Sequence, residues 1–260
     1  MWFNPVPLTG RIPSLDGWRA LAIMLVLGDH AVYATGFPQE SLQWIGKNFH
    51  GDLGVRIFFV LSGFLISLLL LREVGRTDRV NLKEFYLRRI FRIFPVYFTY
   101  LAVIFVLEIF GIYDESISSW VGSLTYTRNM VGLGNSPTVH LWSLSVEEQF
   151  YLAWPLAFAF LKLWKRPAVY LSLLAIPLIL CPILRANWIA TDPGGDLLNR
   201  LFGVRSILMY ADSLAIGCIG AWIIWKISNC NVGGWRRFHT GLFFSSIVLI
   251  YFSASNFRIL

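Results

Sequence analysis

Charge is what this sequence has least of. Only 14% of its 260 residues are Asp, Glu, Lys or Arg, against about a quarter in a soluble globular chain. That scarcity excludes an ordinary water-soluble domain. Cysteine is almost as sparse: Cys181, Cys218 and Cys230 are odd in number and far apart, without the paired spacing of a zinc site. They read as packing residues. His50, His140 and His239 have no ligating neighbours at useful spacing, so no metal is expected. Acidic residues are outnumbered, 15 against 22 basic ones, for a net charge of +7. No arginine-rich soluble segment carries that excess, which argues against a nucleic-acid partner. The opening MWFNPVPLTGRIPSL lacks a small-residue cleavage site behind a short apolar core, so no removable signal peptide is expected.

What the chain has in abundance is apolar surface. It is 56% hydrophobic, with 11 Trp, 10 Tyr and 21 Phe. Several stretches approach the roughly 20 apolar residues that cross a bilayer. The fold class expected is therefore all-α, a polytopic transmembrane bundle with the lipid bilayer as its first partner. Seven spans are expected, at about 15–34, 53–71, 93–111, 141–164, 168–184, 204–225 and 238–254. Residues 118–140 are broken by Gly122, Arg128, Asn129, Gly132, Gly134 and Pro137. They read as a short or re-entrant element, which membranes tolerate only where protein buries it.

Orientation follows from the distribution of Lys and Arg, which favour cytoplasmic loops. With the N-terminus inside, Arg11, Arg19, Arg72, Arg76, Arg79, Lys83, Arg88, Arg89, Arg92, Lys162, Lys165, Arg166, Lys226, Arg236 and Arg237 all fall on the inner side, 15 of the 22. The bias holds only if residues 118–140 do not cross. A multi-pass protein with a cytoplasmic N-terminus is expected.

The stretch LDGWRALAIMLVLGDH, residues 15–30, places polar groups inside a span. Arg19 and His30 are eleven residues apart, about three helical turns, so they share a face roughly 16 Å apart along the axis. Titratable groups so placed mark a site or a wet cavity; alternatively Arg19 snorkels inward and Asp29 and His30 reach the outer interface. His30 has the reference pKa of a general base at neutral pH. Asp29 follows the helix about 100° away, so a direct orienting bond to His30 is not assured by sequence. In the fourth expected helix Ser143, Glu147 and Tyr151 are spaced by four and form one polar stripe, while Glu148 points elsewhere. Glu147 either orients His30, binds acceptor hydroxyls, or makes a polar contact between helices. Arg89 and Arg92 are helix neighbours suited to bidentate phosphate binding; lipid headgroups and positive-inside anchoring are the competing uses. Ser62 and Gly63 read as a close helix approach, and Gly54 and Trp142 as packing and interface residues.

Four of these stretches, in order, resemble acyltransferase family 3. They are Arg19-x10-His30, GVRIFFVLSGFLIS at 54–67, YLRRIFRIFPVYF at 86–98 with Arg89, Arg92 and Pro95, and HLWSLSVEEQFYLAWP at 140–155. The resemblance implies an integral membrane O-acyltransferase that carries an acyl group, acetyl above all, from cytoplasmic acyl-CoA to hydroxyls of an extracytoplasmic carbohydrate. No permanently bound cofactor is implied; acyl-CoA is the donor substrate. His30, with Asp29 and Glu147, would be catalytic, and Arg19, Arg89, Arg92, Ser143 and Tyr151 would bind substrates. A bacterial inner membrane is the implied location. Family members have about ten spans, so residues 1–260 are expected to form a single acyltransferase domain truncated at its C-terminus. The rival reading is a transporter that uses Arg19, His30 and Glu147 as a polar path.

Overall fold

Apolar runs without a β-period have only one way to satisfy their backbone in lipid, and that is to coil. The computed structural model describes residues 13–32, 38, 49–131, 136–191 and 205–229, which are mostly helical and contain no strand. The helices are α1 (Pro13–Ala31), α2 (Gly51–Thr77), α3 (Leu82–Ile109), α4 (Ile117–Leu124), α5 (Leu141–Phe160), α6 (Pro167–Thr191) and α7 (Ile207–Asn229). Single 3-10 turns lie at Arg128–Met130 and Leu163–Lys165.

Four of them are long and apolar enough to cross a membrane: α2, α3, α6 over Pro167–Asn187 and α7 over Ile207–Ile227. α2 and α3, at 27 and 28 residues, rise about 40 Å, more than the roughly 30 Å of hydrocarbon they need to span. α3 leaves Phe91, Val96, Phe105 and Ile109 exposed, as a lipid-facing ridge must. α1 and α5 are helical where spans were expected but stand apart from these four. Asp16, Arg19 and Asp29 load α1 with charge, and Glu147, Glu148 and Gln149 interrupt the apolar run of α5. The expected span at 238–254 lies outside the described residues.

Helix α3 begins at Leu82 rather than at 93. Asn81 caps it by accepting the Glu84 backbone N–H (3.2 Å) while its own N–H donates to Glu73 Oε1 (2.8 Å). Residues 72–92, expected as a basic connection between spans, are therefore mostly helical: Arg72 and Arg76 end α2, Lys83, Arg88, Arg89 and Arg92 lie on α3, and only Arg79 stays between them. The far end closes on Gly111, whose φ of +70° suits a residue without Cβ. The N–H groups of Gly111 and Ile112 reach back to the Glu108 and Leu107 carbonyls (2.9 and 3.0 Å), satisfying the last turn. Residues 116–131 do not cross. The eight-residue α4 rises only about 12 Å, and it is followed by a turn and the Arg128 3-10 segment. Ser119, Ser123, Arg128 and Asn129 are buried there, so protein covers this re-entrant stretch.

The chain divides into two compact units. The first comprises residues 1–68 and 213–260, and its described part is α1, the first two-thirds of α2 and most of α7. Its core is Ala22, Ile57 and Leu61, with Trp18, Leu25 and Phe58 packed around them. Glycine sets its helix spacing. A Cβ on Gly54 would meet the Ala22 carbonyl at 2.7 Å, and one on Gly63 would meet the Leu214 carbonyl at 2.1 Å. The second unit, residues 69–212, contains α3 to α6. Tyr97, Leu101 and Leu141 form one of its cores, with Tyr100, Trp120 and Tyr126 against them.

Candidate active site

In the first unit, the last turn of α1 holds His30. Its Nδ1 lies 2.8 Å from the Val26 carbonyl. A carbonyl only accepts, so the neutral ring carries its proton on Nδ1 and keeps the Nε2 lone pair available. The ring is exposed. Orientation thus comes from the helix's own backbone one turn back, and Asp29 does not supply it. The Asp29 carboxylate turns to the start of α2, with Oδ2 2.6 Å from where a Gly51 Cβ would stand. A carboxylate is favourable there, beside the unsatisfied N–H groups of a helix N-terminus. Arg19 pairs with Asp16, Nη1 to Oδ1 at 3.4 Å, and both side chains are partly exposed.

In the second unit, α3 and α5 meet along a polar seam. The Tyr86 hydroxyl donates to the Leu152 carbonyl (2.9 Å). Three residues on, Arg89 lays its guanidinium 3.0 Å from the centroid of the Tyr151 ring. Its Nε is 3.7 Å from Glu148 Oε1. The Tyr151 hydroxyl donates to Glu147. Arg89 and Tyr151, expected to bind substrate, are thereby brought together with Glu147. Ser143 is not part of this contact: its hydroxyl bonds back to the His140 carbonyl (3.3 Å). Arg92 is exposed, and Arg88 pairs with Glu84 at 3.0 Å on the surface.

Two residues that the sequence left aside complete the seam. Glu148 is the carboxylate beside Arg89. Tyr126, in the turn after α4, stacks on Tyr97 (4.5 Å between centroids, 21° between planes) and on Phe94 (5.9 Å, 26°). Arg89 Nε, Glu148 Oε1 and the Tyr126 hydroxyl are all shielded from solvent, and none has a hydrogen-bond partner among the described residues. Burial pushes the Tyr126 phenol up, and Tyr97 and the Glu148 charge push it further, so it stays a donor. Tyr126 also takes φ +55°, a region other residues seldom enter without glycine and one where strain gathers at functional sites. Gln149 holds this turn, donating from Nε2 to the Tyr126 carbonyl and to Asn129 Oδ1 (both 2.9 Å). Arg89 Nε and Glu148 Oε1 are ion-pair partners without a closer bond, and with the unpartnered Tyr126 hydroxyl they form, among aromatic rings, a buried polar cluster with hydrogen-bonding capacity to spare among the described residues.

Glu148 was legible only as the neighbour of Glu147. On a helix it sits three and four residues before Tyr151 and Leu152, the α5 positions that meet α3, and that spacing is the signal that finds it. Nothing in sequence points to Tyr126, whose place depends on a turn. Arg72 is a further residue without a sequence signal: its Nε and Nη2 are shielded and have no hydrogen-bond partner among the described residues.

A bundle of helices, four of them long and apolar enough to cross a membrane, belongs to the class of polytopic membrane proteins. The chain belongs to acyltransferase family 3, whose pattern, described as an acyltransferase domain, matches residues 12–258. It is 31% identical over 237 residues to the peptidoglycan O-acetyltransferase OatA of Listeria monocytogenes, covering 85% of this chain and 35% of that protein. The putative peptidoglycan O-acetyltransferase YrhL of Bacillus subtilis is 31% identical over 240 residues, 85% of this chain and 34% of its own length. The O-acetyltransferase OatA of Staphylococcus aureus is 32% identical over 226 residues, with 82% and 34% covered. The chain thus spans about a third of the length of these curated relatives. No solved structure matches it.

Proposed function

We propose that this chain is the membrane part of an O-acetyltransferase that moves an acetyl group from acyl-CoA at the cytoplasmic face to a hydroxyl of a cell-envelope carbohydrate. His30 carries the reading. A general base must offer a lone pair to the attacking hydroxyl, and the Val26 carbonyl fixes His30 in the tautomer that does so at Nε2. In the transfer, the acceptor oxygen attacks the thioester carbonyl and its proton passes to Nε2. The carbon–sulfur bond breaks as the ester forms, and the proton leaves on the CoA thiol.

The second unit provides for the donor. Arg89 and Glu148 form a nearly neutral pair, which suits the amide-bearing arm of an acyl-CoA: N–H to Glu148 and carbonyl to the Tyr126 phenol. Arg92, exposed one turn further along α3, suits the phosphates of the same donor. The excess of Lys and Arg on one side supports a cytoplasmic N-terminus. The relatives' names, a peptidoglycan O-acetyltransferase and a putative one, and their bacterial sources support a bacterial inner membrane as the setting.

The test is transfer of labelled acetyl from acetyl-CoA to outward-facing glycan in membranes carrying the chain, beside His30→Ala at matched expression. Loss of about 100-fold or more is expected, the usual worth of a general base. Equal transfer by both would remove His30 from the chemistry.

A further inference from the structure

Among the described residues, the second unit contains three arginines at the end where α5 and α7 begin. Two are met by acids. Arg185, buried, donates to Asp212 Oδ2 and to the Met209 carbonyl, both at 2.6 Å. Arg128, 1% exposed, donates from Nε to Thr138 Oγ1 (3.2 Å), from Nη2 to Ser136 Oγ (3.2 Å) and from Nη1 to the Val131 carbonyl (3.4 Å). Both hydroxyls in turn donate to the buried Glu115 carboxylate. That cation is spoken for.

Arg205 is not. It is half-buried, with its guanidinium carbon 5.2 Å from the centroid of the Trp142 ring. Trp142 is itself braced by Tyr210, 5.2 Å away and tilted by 42°. Among the described residues no carboxylate pairs with Arg205. The next residue, Ser206, has a hydroxyl that is buried (3% exposed) and has no hydrogen-bond partner among the described residues. Burial disfavours the Arg205 charge, and the neighbouring Arg128 disfavours it further, with Tyr210 opposing. A cation drawn partly out of water beside a like charge is costly unless an anion joins it. A guanidinium within cation–π range of an indole, here 5.2 Å from the ring centroid, still has N–H donors for a planar, bidentate anion such as a carboxylate, or for a phosphate. An arginine that has only to stay charged needs neither this platform nor an unused hydroxyl next to it.

We propose that Arg205, on its Trp142 platform and next to the Ser206 hydroxyl, binds the anionic substituent of an acidic acceptor glycan and so sets which carbohydrate is acylated. The proposal rests on the acyltransferase reading, in which this end of α5 and α7 faces outward. A neutral glycan would leave the site unfilled. The acceptor is therefore a carboxylate- or phosphate-bearing sugar chain, and the acid group acts at a distance from the hydroxyl that reacts.

The experiment uses the full chain in phosphatidylcholine nanodiscs. Its probes are an N-acetylhexosamine oligosaccharide bearing a carboxylate and the same oligosaccharide with that carboxyl reduced to an alcohol. Calorimetric titration is expected to show the native chain binding the acid form at least tenfold more tightly, with a preference that weakens as salt is raised. Arg205→Gln should lose the preference while binding the neutral form as the native chain does, and Arg205→Lys should keep part of it. Equal binding of both sugars by the native chain, or an unchanged preference in Arg205→Gln, would overturn the proposal. The native-chain comparison decides even if Arg205→Gln fails to fold. Repeating the titrations in discs containing phosphatidylglycerol separates a lipid source of the anion: a preference abolished by that lipid would assign Arg205 to headgroups and overturn the proposal too. Acetyl transfer to the same two sugars reads the parent function separately. A binding preference without transfer to either would sink the acyltransferase reading and leave the subsite standing.

Discussion

A buried hydroxyl without a hydrogen-bond partner costs a fold about 1–3 kcal/mol, and among the described residues Tyr126 carries one. If its purpose is a ligand, removing it should help the empty protein and harm the loaded one. Tyr126→Phe keeps the ring stacked on Tyr97 and leaves the left-handed backbone as it was. Its melting temperature without ligand should hold or rise, by the equivalent of about 1 kcal/mol. The KM for acetyl-CoA should rise about tenfold, the worth of one lost hydrogen bond of about 1.4 kcal/mol, with kcat falling less. A drop in melting temperature with an unchanged KM would make Tyr126 a packing residue only. Opposite signs for stability and binding are what a purely structural role does not give. At this scale the sequence was a partial guide. His30 could be singled out as a titratable group in an apolar helix, where its cost asks for a reason, and Arg89 by its spacing from Arg92 and by the family resemblance. Ser143 shared a helical stripe with Glu147 and Tyr151, but a hydroxyl in the first turn of a helix has a nearby carbonyl to bond, and it took that of His140. Asp29 likewise found the nearest helix N-terminus instead of its histidine neighbour.

Helix packing in the first unit is set by glycines that face each other. A Cβ on Gly63 would lie 2.1 Å from the Leu214 carbonyl, and a Cβ on Gly217 would lie 2.1 Å from the Val60 carbonyl. These are backbone atoms, which no rotamer change can move aside. Cys218 adds a weak bond across the same contact, its Sγ 3.6 Å from the Gly63 carbonyl. Gly63→Ala and Gly217→Ala should each destabilise by about 1–3 kcal/mol or more, since α2 and α7 must separate to admit a methyl. Gly220→Ala is the control on the same helix: its Cβ would stand at an ordinary 3.6 Å from the Phe64 ring. Thermal unfolding in detergent compares the three; equal melting temperatures would show that the crossing is not tight. The Ser62-Gly63 approach was readable as a small-residue pair within an apolar span, although its partner helix was not. The ends of elements were less readable. The basic run before Arg92 looked like a connection because charge density and helix breaking are easily confused. Charge on the early turns of α3 does not prevent coiling once Asn81 caps it, and that difference is what puts Arg89 opposite Tyr151.

Across the whole molecule, the sidedness of the chain depends on where its basic residues end up. α3 is the best helix on which to decide it, because it is long, apolar and ordered from cap to cap. Its two ends lie in short exposed segments: Lys83 one residue into the helix, and Asp114 three residues beyond the closing glycine. On the proposed orientation the first lies inside and the second outside, and this arrangement requires residues 116–131 to return to the side from which they came. The short α4 and its buried 3-10 turn allow that. A crossing there would have needed about 20 apolar residues in one helix. In a background with Cys181, Cys218 and Cys230 replaced by serine or alanine, Asp114→Cys should react with a membrane-impermeant maleimide in intact cells. Lys83→Cys should react only after the membrane is permeabilised. The same experiment bears on the chemistry. With Lys83 inside, Arg92 is positioned to meet a cytoplasmic nucleotide, and the start of α5 and α7, with Arg205, meets the glycan side. Labelling in the reverse order would turn the donor arginines toward the wrong compartment and leave acyl-CoA with no access to them.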